Sequence, residues 1–129
     1  MSMHSRGVKP QLSIDLDALI KAPPVPKYLA IHAKAEWRRI MPQLIGRRII
    51  TKADLAGVEA YCLAVGAARQ IAETMTTGGL PDLKLGGLQI RYMQTARQLA
   101  AEYGLTPTSR ARIGAAIPDD DNADNPLAV

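Results

Sequence analysis

Apolar residues recur at helical intervals along 51–75. Val58, Tyr61, Val65, Ala68, Ala72 and Met75 are spaced 3, 4, 3, 4, 3, with Ala60, Ala64, Ala67 and Ile71 as a second seam beside them. The polar face that remains is narrow, formed by Glu59, Gly66, Gln70 and Glu73. No proline interrupts the stretch. Thr51 is a suitable N-cap, Asp54 sits in the first turn where the helix dipole favours a carboxylate, and Ile50 is placed as a hydrophobic staple. A helix apolar over most of its girth must be covered on more than one side. In a chain this short that predicts a partner subunit, with Val58, Tyr61, Ala64, Val65, Ala68 and Ile71 at the interface.

Before this helix, Leu29, Ala33, Trp37, Ile40 and Leu44 form another seam and predict a helix over 27–41, ended or kinked by Pro42. After it, Gly78-Gly79-Leu80-Pro81 and Gly86-Gly87 predict a connector of about fourteen residues, either a small hairpin or an irregular loop. Tyr92, Ala96, Leu99 and Tyr103 mark a third helix over 88–103 that stops at Gly104. Thr106 and Pro107 then open a short helix towards Gly114. The expected fold is all-α: a hairpin of two main helices, a third helix and a short C-terminal one. Residues 1–26 read as a basic, proline-rich arm, 27–117 as the helical domain, and 118–129 as an acidic tail. The roughly 90 residues left between arm and tail are few for one stable core, so self-assembly is expected to supply burial.

Charge changes the picture. All 16 Lys and Arg and eight of the 12 acids lie in 1–117, a net +8, while Asp119, Asp120, Asp121 and Asp124 place −4 on the tail. A basic body points to an anionic partner, nucleic acid first. Lys34, Arg38 and Arg39 on the first helix, Arg47 and Arg48 before a helix N-terminus, and Lys52 after the cap are the candidate phosphate contacts. Arg6 and Lys9 in the arm come next. Arg110 and Arg112 stand two apart on a helix and do not share a face. With Pro42 ending one helix and Thr51 starting the next, both arginine pairs, Arg38/Arg39 and Arg47/Arg48, are expected near one end of the helical hairpin.

Candidate chemistry is sparse. Gly78-Gly79 and Gly86-Gly87 lack the Lys and hydroxyl of a phosphate-binding loop. His4, His32 and the single Cys62 offer too few ligands for a metal site, and the Asp119-Asp120-Asp121 run lacks the glycine and terminal Glu of a calcium loop. Ser109 has no base beside it in the sequence. The expectation is a non-enzyme without cofactor or metal. No apolar run approaches a membrane span or a signal-peptide core, so a cytosolic protein is expected.

Five stretches carry a family resemblance. Arg6-Gly7-Val8-Lys9-Pro10 is similar to a Gly-Arg-Lys-Pro-type start, and Ala35-Glu36-Trp37-Arg38-Arg39-Ile40 precedes Ile50-Thr51-Lys52-Ala53-Asp54. Glu59-Ala60-Tyr61-Cys62 follows, and Tyr103-Gly104-Leu105-Thr106-Pro107-Thr108-Ser109-Arg110-Ala111-Arg112 stands near the end. Together they resemble the small terminase subunit of tailed bacteriophages, in its P27 branch, over about residues 5–113. Gly86-Gly87-Leu88-Gln89 departs from the Asn-Pro-like dipeptide common in that family. The resemblance implies a ring-forming homo-oligomer that binds double-stranded viral DNA. It also implies a protein that regulates a separate large subunit, the ATPase and nuclease, in the cytoplasm of the bacterial host. A helix-turn-helix transcriptional regulator and a helical protein–protein adaptor are the alternatives. The pair of helices around Gly104 is the better helix-turn-helix candidate, since the expected connector after Met75 is too long for that motif.

Overall fold

The computed structural model describes residues 17–79, 81–106 and 109–112, so Arg6, Lys9 and the acidic tail lie outside the described residues. Three helices run in sequence: α1 (Ile31–Arg47), α2 (Leu55–Gly78) and α3 (Leu83–Glu102), with a 3-10 turn (Lys52–Asp54) leading into α2. The described residues contain no strand, and the all-α expectation holds.

α2 is the central element. One face packs on α1 and another on α3, while α1 and α3 do not pack on each other. Both neighbours run antiparallel to it. Against α1, Gly66 meets Ala33 and Glu73 meets His32. Against α3, Met75 lies beside Gly86, the Ala68 carbonyl accepts from Gln89, and Gly57 abuts Tyr103. Leu29, Ala33, Trp37, Ile40 and Leu44 are all buried, as their spacing predicts. They share one core with Val58, Tyr61, Cys62 and Ala64 of α2 and with Ala96 and Ala100 of α3.

Pro42 neither ends nor breaks α1, which runs on to Arg47. Pro42 faces solvent, as does Arg38, whose carbonyl loses its helical donor. The next residues on the other face, Met41 and Leu44, are at most 2% exposed. Burying each contributes about 1.5–3 kcal/mol, which together offsets the roughly 3 kcal/mol a proline costs. The start of α1 is also later than the seam suggested. Residues 27–29 form a turn in which the Leu29 N–H donates to the Pro26 carbonyl, 3.3 Å.

The long connector is corrected too. α3 begins at Leu83, so only residues 79–82 join it to α2. Asp82 caps it, its carboxylate accepting from the Lys84 and Leu85 N–H groups at 3.0 Å each. Gly86 and Gly87 are helical despite about 1 kcal/mol of propensity against each: Gly86 lies against Met75 of α2, and the exposed Gly87 is carried along in a helix that packs on α2 over its length. With the connector short, its length no longer argues against a helix-turn-helix at α2–α3. The packing does: the two helices run alongside each other from Met75/Gly86 to Gly57/Tyr103 rather than crossing.

The faces of α2 differ from the two-seam pattern. Gly66, placed on the polar face by spacing, is buried: a Cβ there would lie 2.7–3.0 Å from Ala33 backbone and side-chain atoms. Ala60 and Ala72 are exposed. Val58, Tyr61, Ala64, Ala68 and Ile71, expected at a subunit interface, are already buried within the single chain, and Val65 is half-buried. The single chain already covers most of those side chains itself. Part of the expected arm also belongs to the fold. The Leu19 N–H donates to the Ile50 carbonyl at 2.9 Å, and Leu19 and Val25 pack on the core.

Two measurements check this packing. Gly66→Ala should destabilise the fold by about 1–3 kcal/mol through overpacking against Ala33. Gly46→Ala, with nothing within 4 Å of its Cβ, should be neutral or stabilise by up to about 1 kcal/mol. Urea titration of both variants distinguishes them; equal effects would show that α1 and α2 are not in close contact. Burial, with Glu36 as the next cause, pushes the Cys62 thiol up to about 12 from its usual 9. The thiol should therefore resist alkylation at pH 8 until the protein unfolds. Its contribution to stability is complete below pH 9 and is lost as pH rises towards 12.

Candidate nucleic-acid interface

The cations of α1 separate by role. Lys34 is half-buried and Arg38 exposed, on the outward face of the helix. Arg38 rims a shallow depression of about 220 Å³ between α1 and residues 22–25, floored by Trp37 and Met41. Arg39 is committed elsewhere: its guanidinium pairs closely with Glu36, whose carboxylate is 1% exposed. Arg69 of α2 reaches the other Glu36 oxygen at 3.3 Å. The hydrogen bond to Glu36 raises the Arg39 pKa above its ordinary value. An isolated buried carboxylate would be costly, so the two arginines act first as its counter-charges and join α1 to α2.

Because α1 continues through Pro42, the two arginine pairs are not neighbours. Nine helical steps separate Arg38 from Arg47, which is about 13 Å along the axis and half a turn around it. The expected juxtaposition of Arg38/Arg39 with Arg47/Arg48 does not occur.

A different cluster forms at the end of the molecule where α1 finishes, α2 starts and α3 finishes. Arg47 donates to the Gly104 carbonyl at 2.5 Å. Arg110 and Arg112, on the short helix after α3, reach the Leu105 carbonyl at 3.4 Å and the Ala101 carbonyl at 3.5 Å. The Ala101 carbonyl is in the last turn of α3, where the helix dipole is negative and backbone acceptors have no helical partner, and the Gly104 and Leu105 carbonyls follow just beyond the helix. Each bond uses one of five guanidinium donors, which leaves the others for a ligand.

Arg48 and Lys52 complete the cluster and face solvent. Arg48 is the C-cap of α1 in the left-handed conformation, φ 53°, a position that favours glycine. Lys52 is held on the 3-10 turn by the Thr51–Asp54 pair. The Asp54 carboxylate accepts from the Thr51 N–H at 2.8 Å and from its hydroxyl at 3.1 Å.

The short helix is fixed in the same manner as the 3-10 turn. The Thr106 N–H donates to Ser109 Oγ and the Ser109 N–H to Thr106 Oγ1, both at 3.1 Å, with Ser109 buried. Its hydroxyl serves this cap. Against the five cations Arg47, Arg48, Lys52, Arg110 and Arg112 stand the carboxylates Asp54 and Glu102. Tyr103, packed between them, has its pKa raised by burial, then by Asp54 and Glu102.

Spacing along the sequence undervalued Arg110 and Arg112. Two positions apart on a helix, they make no shared face, yet Arg112 reaches back to Ala101 of α3 and Arg110 to Leu105, beside the Gly104 carbonyl that Arg47 reaches from 57 positions earlier. The signal that pointed to them was the Gly104-to-Arg112 run itself. Elsewhere, His32 pairs with Glu73 at 2.9 Å, and no group of three or more metal-ligating side chains occurs among the described residues. No described helix is long and apolar enough to cross a membrane.

A family model described as phage terminase, small subunit, matches residues 33–120, more than half of the chain. The match covers α1 from Ala33 onward, α2, α3 and every cation of the cluster. No curated protein and no solved structure matches.

Proposed function

The chain belongs to the phage terminase small-subunit family, and from that premise we propose that its basic end binds the backbone of double-stranded viral DNA during packaging. The observation that supports this is the convergence of Arg47, Arg48, Lys52, Arg110 and Arg112 at one end of the helical array, with spare donors on each guanidinium. Duplex DNA presents one charge per about 1.7 Å, and no base-reading geometry is needed for such contacts. Arg38 and Lys34 supply a second, separate basic surface. Arg6 and Lys9, outside the matched region, would extend the contact. The Gly104-to-Arg112 run favours the P27 branch of the family.

The protein acts without chemistry of its own on this reading. It presents DNA to the large subunit and changes that subunit's ATP turnover when the two are mixed. Assembly into a ring would repeat the basic end once per subunit and multiply a weak local field. The surfaces available for that assembly are outward ones. Ile90 and Met93 of α3 are 56% and 54% exposed, and Leu63 of α2 is 42% exposed. An apolar outer face of this kind on two adjacent helices is the type of surface that subunits cover.

Arg48→Gly with Lys52→Ala tests the DNA reading without harming the fold. Glycine suits the left-handed C-cap, so thermal stability should be unchanged or higher, while both charges are lost. Affinity for unrelated duplexes should fall, and the slope of log K against log salt should flatten by about 2. Undiminished affinity across low and moderate salt would place the DNA surface elsewhere. For assembly, Ile90→Glu with Met93→Glu should reduce the particle size in native mass spectrometry without loss of helical signal. An unchanged particle would remove this face of α3 from the interface.

A further inference from the structure

We propose that the basic end has a second ligand, the acidic segment 119–124 of the same chain, which occupies it in competition with DNA; this rests on the reading of that end as an anion-binding surface. Three observations carry the proposal. The first is where the described chain stops. Arg112 is a member of the cluster, its guanidinium within reach of the Ala101 carbonyl. The segment that follows is therefore tethered at the cations themselves.

The second is reach. Seven residue steps separate Arg112 from Asp119, at most about 25 Å of chain. The intervening Ile113-Gly114-Ala115-Ala116-Ile117-Pro118 carries no charge that would bind elsewhere. A tether of that length gives an effective concentration on the order of millimolar, so individually weak contacts become populated.

The third is charge. Asp119, Asp120, Asp121 and Asp124 stand within six residues, with no Lys or Arg after Arg112. The surface within reach holds five cations against Asp54 and Glu102. Asp54 is already engaged by Thr51, while Arg48 and Lys52 face solvent. The more distant cations are less suited: Arg39 and Arg69 already share Glu36.

The consequence is a threshold. Four carboxylates on a short tether cover the cluster against sparse anions, but a duplex, with roughly twelve charges in 20 Å, displaces them. The competition weakens with salt, because exposed pairs are screened beyond a Debye length of about 10 Å at 0.1 M.

Zero-length carbodiimide coupling on the full chain reads the contact directly, since it joins a carboxylate only to an amine it touches. Lys52 is the lysine of the basic end, and Lys34 and Lys84 are internal controls elsewhere on the molecule. The expected product joins 119–124 to Lys52 in preference to Lys34 and Lys84, and it disappears when a short duplex is added. In parallel, the full-length variant Asp119→Asn, Asp120→Asn, Asp121→Asn, Asp124→Asn should bind duplex DNA about three- to tenfold more tightly at about 50 mM salt, the difference closing by about 0.5 M. Coupling spread evenly over the lysines, or an Asn variant that binds DNA no more tightly, overturns the competition. Coupling to Lys52 in a protein that binds no duplex in either form would instead overturn the DNA reading and leave the intramolecular contact standing.

Discussion

The contact of Gly66 with Ala33 sets the separation of α1 and α2, and the rest of the arrangement follows from it. With no side chain at 66, the two backbones meet at a distance that a Cβ would forbid. That closeness seals Cys62 and Trp37 in the core and brings Arg69 of one helix to Glu36 of the other. It also fixes the antiparallel register, so that the end of α1 finishes level with the start of α2. α3 is then placed on the remaining buried face of α2 by the Asp82 cap and the contact of Tyr103 with Gly57. Because α1 and α3 touch α2 and not each other, their ends are related only through it and through the bond from Arg47 to Gly104.

The arginines of the basic end have two roles that reinforce each other. A helix C-terminus buried without partners would leave carbonyls unsatisfied, at a cost comparable to lost hydrogen bonds. Backbone N–H groups of Tyr103 and Leu105 satisfy the Leu99 and Ala100 carbonyls, Arg112 reaches that of Ala101, and Arg47 and Arg110 bond the Gly104 and Leu105 carbonyls of the segment that leaves the helix. In doing so the three arginines are drawn together from distant parts of the sequence, with Arg110 and Arg112 exposed and Arg47 half-buried. A lysine in the same positions would give one point charge and far less pre-organisation. The structural role therefore builds the binding surface rather than consuming it. Arg39 shows the opposite case, since its partner is a buried carboxylate and the pairing neutralises it.

Local sequence was enough to specify the helical class, the buried seam of α1, the apolar seam of α3 and the capping residues Thr51 and Thr106. Each depends on neighbours within about one turn, which is the range over which periodicity and capping act. The family was legible for the same reason, carried by short runs such as Gly104 to Arg112. Packing between the helices set where they start and stop against local propensity. Pro42 and Gly86-Gly87 stay helical because burial of their helix neighbours, Met41 and Leu44 in α1 and Ala96 and Ala100 in α3, outweighs a few kcal/mol of local cost. It decided that Val58, Tyr61, Ala64, Ala68 and Ile71 face the chain's own helices, since spacing shows that a face is apolar and not what covers it. It also decided which cations share a surface, because continuing α1 by two turns parts Arg38 from Arg47, and folding α3 back brings Arg110 and Arg112 to it.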